Sequence, residues 1–546
     1  LVSASELAYG DAPWLLGDSE PGTVSLNGVS SNLIMPKFVH ANISNDVAER
    51  LGVKSLRRLL LAESADSMNM TLHGSAEAFG QHEALTTRLK HIVDMYADGP
   101  GILCELLQNS DDAGASEVSF LLDQSQYGAS SILSPKMSEW QGPALYCYNN
   151  SVFSSKDLHA ISRIGQDSKL EKPHSVGRFG LGFNSVYHFT DVPSFVSGDH
   201  FVIFDPHASH LPGISPSHPG LKIKFAGKGI ALQFPDQFYP YFLFGCDLQH
   251  NYNGTLFRFP LRNNITAAYS QIKQTAYSPD MVLNLFENFQ NIASEVLLFL
   301  HNVTCINLYF REGMDKDMKM IYRVERDGSH DQSVYKFVSG LKTQAKDKDD
   351  FYRRLQNTPD KMLPSDCQLI NITRHEFEKE FSQRWMVSEY LGGKHAIEMA
   401  AKKENRTHGF VPWAGVAAKI GEEYEANMDN SLRRADVYGG KCVSLEGRAF
   451  CFLPLPVKTG LPVHVNAYFE LSSNRRDIWY GDDMAGGGKL RSEWNCCLLK
   501  EVSSCAYVHL LAKMACELGP YEEYFSLWPT GSPPEPWNIL LHNVYL

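Results

Sequence analysis

Apolar and polar positions alternate along the chain with two different periods, and the switches between them predict the elements. Leu85, Leu89, Ile92 and Val93 recur at helical spacing and stop before Asp98-Gly99-Pro100, which predicts a helix closed by a turn. A second helix is predicted over 102–111, followed by Ala113-Gly114-Ala115 and a strand at 118–122. Further strands are expected at 144–148, 201–204 and 256–259, with a short helix near 157–161 and another running through Val186. Beyond residue 265 the periods mix. An amphipathic helix is read at 281–299, strands at 305–309, 320–324 and 334–338, and a solvated face or mobile loop at the charged run 342–350. The last part predicts strands at 449–453 and 463–469, a polar turn at 472–476 and a helix at 494–516. Ahead of all these, Val47, Leu51, Leu56, Leu59 and Leu60 suit a small apolar helical face, and the small polar residues of 62–74 read as a linker.

The chain has 546 residues, which is too long for one ordinary hydrophobic core, so two or three are expected. The 43% hydrophobic and 11% aromatic content suits a folded protein, and the mixture of helical and strand periods makes the expected class α/β. A net charge of -12 supplies no global attraction for nucleic acid or an anionic membrane. No apolar run is long enough to span a bilayer, and 296–300 is the most apolar candidate. The 11 cysteines are scattered, with no Cys-x-x-Cys pair, and read as reduced thiols of a cytoplasmic, or also nuclear, protein. The Asn-x-Thr matches, with no secretory signal beside them, read as chance. The opening Leu-Val-Ser-Ala carries no leader and looks like the start of an excised fragment.

Candidate chemistry gathers on the second helix. Glu105, Asn109 and Asp112 stand at i, i+4 and i+7 and share a face, while Ile102, Leu103 and Leu106 can face a core. An amide oxygen such as that of Asn109 can enter a Mg²⁺ shell beside phosphate and water, and Glu105 can hold an attacking water. Such a face is more often merely solvated. What shifts the reading is Gly177-Arg178-Phe179-Gly180-Leu181-Gly182-Phe183, whose glycines allow close backbone approach to phosphate. The run comes late, after a helix and a strand, which disfavours a dinucleotide-binding βαβ unit, and it lacks the Gly-Lys-Ser of a P-loop. His188, His207, His210 and His464 have no zinc-like spacing, and Asp205-Pro206 after Phe204 also makes an ordinary strand exit. Trp413 and Trp479 read first as core packing and second as interface markers.

The order of these elements resembles the GHKL ATPases. The helix motif Glu-x-x-x-Asn-x-x-Asp-Ala is matched by Glu105, Asn109, Asp112 and Ala113, and Gly-x-x-Gly-x-Gly-Phe by Gly177, Gly180, Gly182 and Phe183. The resemblance implies an α+β two-layer sandwich of the Bergerat type, with Glu105 as general base, Asn109 as the magnesium ligand and Asp112 facing the nucleotide. It further implies a lid around Ser162, Gly165 and Lys169, and Gly254-Thr255 near the base; ATP and Mg²⁺ are the implied cofactors. The strings 99–115, 176–191, 204–207 and 452–479 are similar to the sacsin repeat, a closer resemblance spread over most of 77–500. The organisation expected is then 1–67 as the remnant of a preceding repeat or a cap, 76–265 as the GHKL-like domain, 266–410 as a mixed connecting region, and 411–546 as a chaperone middle-domain-like region.

Two departures bear on function. Where GHKL proteins carry Asp-x-Gly-x-Gly, this chain has Tyr148-Asn149-Asn150-Ser151-Val152-Phe153, so Asn149 or Asn150 offers a neutral carbonyl in place of a carboxylate. The Asn474-Arg475-Arg476 turn resembles a catalytic loop that supplies arginine to the γ-phosphate, and surface or interdomain salt bridging by Arg475 and Arg476, with Asp477 beside the pair, is the larger alternative. Two readings result: a chaperone or co-chaperone module driven by ATP, and a catalytically weak scaffold. Client proteins, other chaperones and neighbouring repeats are the expected partners of either. A histidine kinase of the same superfamily fits poorly, since no dimerisation helix with an acceptor histidine precedes the domain.

Overall fold

The computed structural model describes residues 83–162, 182–327, 333–376, 379–425, 445–472, 477–481, 487–518 and 522–546, and isolated short stretches between 15 and 55. Contacts divide the chain into Leu1–Glu83 and Ala84–Leu546. In the first unit, Leu15–Leu16 pairs antiparallel with Phe38–Val39, which pairs parallel with Lys54–Ser55, and Val24–Leu26 forms a hairpin with Val29–Ser31. The helical face expected there falls, apart from Val47, outside the described residues.

The second unit is built on one mixed sheet in which the described residues contribute fourteen strands. In chain order these are β1 Glu117–Asp123, β2 Ala144–Asn149, β3 Ser194–Gly198, β4 His200–Phe204, β5 Gly220–Lys224, β6 Tyr252–Pro260 and β7 Cys305–Arg311. They continue with β8 Lys319–Asp327, β9 Ser365–Glu376, β10 Lys379–Leu391, β11 Trp413–Glu425, β12 Arg448–Cys451, β13 Leu453–Lys458 and β14 His464–Ala467. The spatial order is β5-β4-β3-β6-β2-β1-β7-β8-β9-β10-β11-β14-β12-β13. The β1/β7 pair is parallel, from Cys305↔Glu117 to Arg311↔Asp123, and joins the first half of the sheet to the second. The spans 266–410 and 411–546 thus extend the same sheet that 84–265 begins.

Helices α1 Leu85–Met95, α2 Gly101–Asp112 and α3 Pro279–Val296 bury their apolar stripes in a cluster that includes Leu89, Leu103, Phe120, Leu145 and Phe286. The stripes of α1 and α3 follow the 3.6-residue period, and α2 is buried all round except on the side of Glu105, Asn109 and Asp112. A second cluster holds Trp140, Phe201, Phe238 and Tyr241, and a third, built on the later strands, holds Trp413, Phe452, Trp494 and Tyr507. Trp413, 1% exposed, is a core residue. The layered arrangement of helices on a large mixed sheet is the α+β sandwich expected.

Two local readings change. The strand expected at 334–338 is the first turn and a half of a helix, Ser333–Gln344. Val334 and Val338 are spaced equally well for both periods, and both are buried on one helical face, at 0% and 3% exposure. The charged run 342–350 is not a loop throughout: it spans the end of that helix and the start of another, Lys348–Asn357, capped by Asp347, whose side chain accepts from the Asp350 N–H.

Candidate functional site

Helix α2 ends where β1 must begin, and Gly114 at φ 80° makes the reversal that no β-carbon-bearing residue adopts cheaply. With Ile102, Leu103 and Leu107 buried below, Asn109 and Asp112 face a cleft. The cleft is open to solvent and has an interior volume of about 170 Å³. Of the residues singled out in the sequence, it brings together Asn109, Asp112, Asn149, Gly182, Phe183 and Thr255. Lys169, Gly177, Gly180, Arg475 and Arg476 lie outside the described residues.

Glu105 is one turn earlier on α2 and lies against Gly182. A Cβ at position 182 would sit 1.9 Å from Glu105 Oε2, so the carboxylate occupies the space that only glycine leaves. Gly182→Ala is expected to swing the flexible Glu105 side chain aside, costing under about 1 kcal/mol of stability while changing what the cleft presents. Combined with Glu105→Ala it should have no further effect on either melting temperature or ligand binding; additive losses would show that the two positions do not act on each other.

The floor of the cleft is a polar seam at the β2 end. Asn149, 4% exposed, donates from Nδ2 to Ser110 Oγ at 3.1 Å, and its Oδ1 accepts the Ser151 N–H at 3.0 Å. Ser110 Oγ itself donates to Leu106 O at 2.9 Å, which fixes which end of the amide faces which neighbour. Thr255 Oγ1 donates to Ser151 O at 2.7 Å and meets Ser197 Oγ at 2.8 Å. Asn150 stands elsewhere: its Oδ1 accepts the N–H groups of Ser116 and Glu117 at 2.9 and 3.2 Å, and its Nδ2 donates to Ser116 Oγ at 2.8 Å. Of the two asparagines that the sequence left as alternatives, Asn149 is therefore the one at the cleft. Phe153, Phe183 and Phe257 supply aromatic walls, and Phe183 lies 5.8 Å from Phe257.

The turn carrying Gly182 and Phe183, Gly182–His188, is held from behind by groups the sequence reading passed over. Arg262 is 0% exposed and donates to His188 O at 3.0 Å, Tyr187 O at 2.9 Å and the Asp191 carboxylate. His188 sits between Tyr96 O and the Lys273 ammonium, each at 2.8 Å. Burial and the neighbouring Lys273 charge hold its imidazole below the usual range, so it stays neutral, donating from Nε2 and accepting at Nδ1. A buried arginine paired with an acid 71 positions away leaves no local pattern in a sequence.

Asp205, His207 and His210 bring possible ligand atoms within 4.8 Å of one another. Their hydrogen bonds describe a braced turn. The Asp205 carboxylate accepts the N–H groups of Ser209, His210 and Leu211 and meets His210 Nδ1 at 3.0 Å. Burial pushes that carboxyl upward, but the bonds to His210 outweigh it and keep it below the usual carboxylate range. His207 Nε2 accepts the Gln271 N–H at 3.0 Å, which places the neutral ring's proton on Nδ1 and removes that nitrogen as a ligand.

Residues 82–323 match the family described as the Sacsin domain. Human Sacsin is 33% identical over 524 residues, covering 94% of this chain and 10% of that protein, so the chain spans about a tenth of the relative's length. A solved structure titled as the N terminal domain of a DNA repair protein covers 56% of this chain and 71% of its own at 10% identity, with a TM-score of 0.26, a likeness that carries no argument. With the family match lying across the cleft and the identity running nearly end to end, the chain belongs to the sacsin family and is a sacsin-like repeat module.

Proposed function

We propose that the cleft binds ATP with Mg²⁺ and that the module couples binding, or slow hydrolysis, to conformational change within a larger chaperone or co-chaperone chain. The observation that carries this reading is the meeting of Asn109, Asp112, Gly182 and Thr255, residues from three separate parts of the sequence, around one cleft. The donor set fits the cofactor: the Asn109 amide and Asp112 carboxylate are hard oxygens on one helical face, which is the chemistry Mg²⁺ accepts alongside phosphate. When bound, Mg²⁺ supplies positive charge that offsets the phosphates. The chain's own part is to orient and exclude. Asn149 and Thr255 shape the polar floor, the phenylalanines cover the base or sugar faces, and Glu105 would hold and deprotonate a water at the Gly182 side. Client proteins, partner chaperones and neighbouring repeats are the partners such coupling would serve, in the cytoplasm.

The second reading, a scaffold that retains the cleft with little or no turnover, is favoured by two features. Asn149 is neutral and already engaged by Ser110 and Ser151, and among the described residues no Lys, Arg or His lines the cleft.

The test is ATP binding with and without Mg²⁺, followed by phosphate release from wild type and Glu105→Ala. On the ATPase reading, saturating Mg·ATP raises the melting temperature of both proteins, and phosphate release falls at least about 100-fold in Glu105→Ala. Equal slow release from both would leave the scaffold reading, and no binding at millimolar ATP would remove the nucleotide from either.

A further inference from the structure

The last turn of α2 carries another carboxylate that points away from the cleft. Asp111 is 3% exposed and accepts the backbone N–H groups of His301, Asn302 and Val303 at 3.1, 2.6 and 2.8 Å. Asn302 Nδ2 also donates to Asp111 O at 2.8 Å, satisfying one of the carbonyls that a helix end leaves open. The segment so gripped, 297–303, is held from its other side by Arg326, whose Nη1 donates to Leu297 O and Leu300 O, both at 2.8 Å. Its His301 ring lies 3.6 Å from Asp111 Oδ2 and stacks on Tyr335, with centroids 3.8 Å apart and planes at 20°. The same ring faces Trp413 and Phe452 at 5.2 and 5.4 Å, both in the apolar cluster of the later strands.

Asp111 follows Asn109 by two residues and precedes Asp112, and both of those line the cleft. A helix end otherwise frays, so the rotation and pitch of this turn depend on what grips it. We infer that Asp111 is a positioning residue: through the 301–303 backbone it sets Asn109 and Asp112 toward the cleft, and through His301 it ties their placement to the aromatic cluster at Tyr335 and Trp413. This rests on the nucleotide reading above, and adds that metal-dependent affinity is controlled from the far side of the helix.

The experiment compares the 546-residue wild type with Asp111→Asn and Tyr335→Leu, measuring ATP affinity by calorimetry in Mg²⁺ and in EDTA, together with melting temperature. Supporting groups behind metal ligands typically govern about 10- to 100-fold of metal affinity, so Asp111→Asn should weaken Mg·ATP by at least about 10-fold and metal-free ATP by less than about 2-fold. Tyr335→Leu, which lies outside the cleft lining and removes the ring stacked on His301 while leaving the Asp111 carboxylate in place, should shift the same ratio in the same direction by about 3-fold, and it carries the test if Asp111→Asn does not fold. A lowered melting temperature with wild-type Mg·ATP affinity, or equal weakening with and without Mg²⁺, would overturn the inference and leave Asp111 purely structural. Absence of ATP binding by wild type in either buffer is a different result: it removes the nucleotide reading, and the inference with it.

Discussion

Arg262→Met is expected to be the most damaging single change in the chain, costing about 3–5 kcal/mol, the range for breaking a buried ion pair from one side. The guanidinium is 0% exposed and its partner Asp191 1%, so removing the cation strands a carboxylate that is buried away from solvent. It also removes the donors to Tyr187 and His188 carbonyls, which hold the turn bearing Gly182 and Phe183. Urea denaturation should show the loss of stability, and any folded fraction should bind ATP more weakly than wild type. A double Arg262→Met/Asp191→Leu variant should recover part of the stability, because a matched apolar pair leaves no charge stranded. A single variant within 1 kcal/mol of wild type, on the order of a surface change, would contradict this account.

Glu389→Gln should stabilise the protein, and increasingly so at alkaline pH. Glu389 is 3% exposed on β10, and its Oε2 has no hydrogen-bond partner. Burial first, then the neighbouring Asp366 charge, push its carboxyl from 4.5 up to about 8, against a smaller opposing pull from Arg326. The folded state therefore holds a proton that the unfolded chain releases near its ordinary value. The proton's contribution to stability is complete below 4.5, declines as pH rises, and is gone above about 8. Glutamine is neutral throughout and close in shape. Wild type and variant should be nearly equal at about pH 5, with the variant ahead by about 3 kcal/mol at about pH 9, somewhat less than the full shift converts to, because Arg326 favours the carboxylate. Parallel denaturation curves at both pH values check the sign. A variant less stable than wild type at the higher pH would mean the carboxylate is ionised and paired in the fold.

The elements around the cleft were legible because their apolar periods are clean. Leu89, Ile92 and Val93, chosen on spacing alone, are the buried face of α1 at 0–3% exposure. The shared face of Asn109 and Asp112 follows directly from helical geometry. The long hairpin β9–β10 was not legible. Gln368, Asn371 and Arg374 interrupt the apolar alternation of β9, which lies inside the sheet between two neighbours rather than over an unbroken core. Asn149 and Asn150 were indistinguishable in sequence because one ends β2 and the other follows it, and the chemistry of the two side chains is the same. The groups that brace the site, Arg262 with Asp191 and Asp111 with 301–303, are separated by 71 and about 190 positions, and such pairings exist only once the chain has folded.

The parallel seam between β1 and β7 also says where this module can and cannot be cut. A segment ending at residue 265 would leave β1, a strand whose six C-terminal positions from Val118 are buried, with its outer hydrogen-bonding groups open to solvent or to another chain. One ending at 323 stops inside β8, ahead of the last four of its pairings with β9 and without β9 itself to receive any of them. The portion that matches the family, residues 82–323, is thus shorter than the portion that carries the whole sheet, and a piece cut to the shorter length exposes strand edges that the longer one pairs.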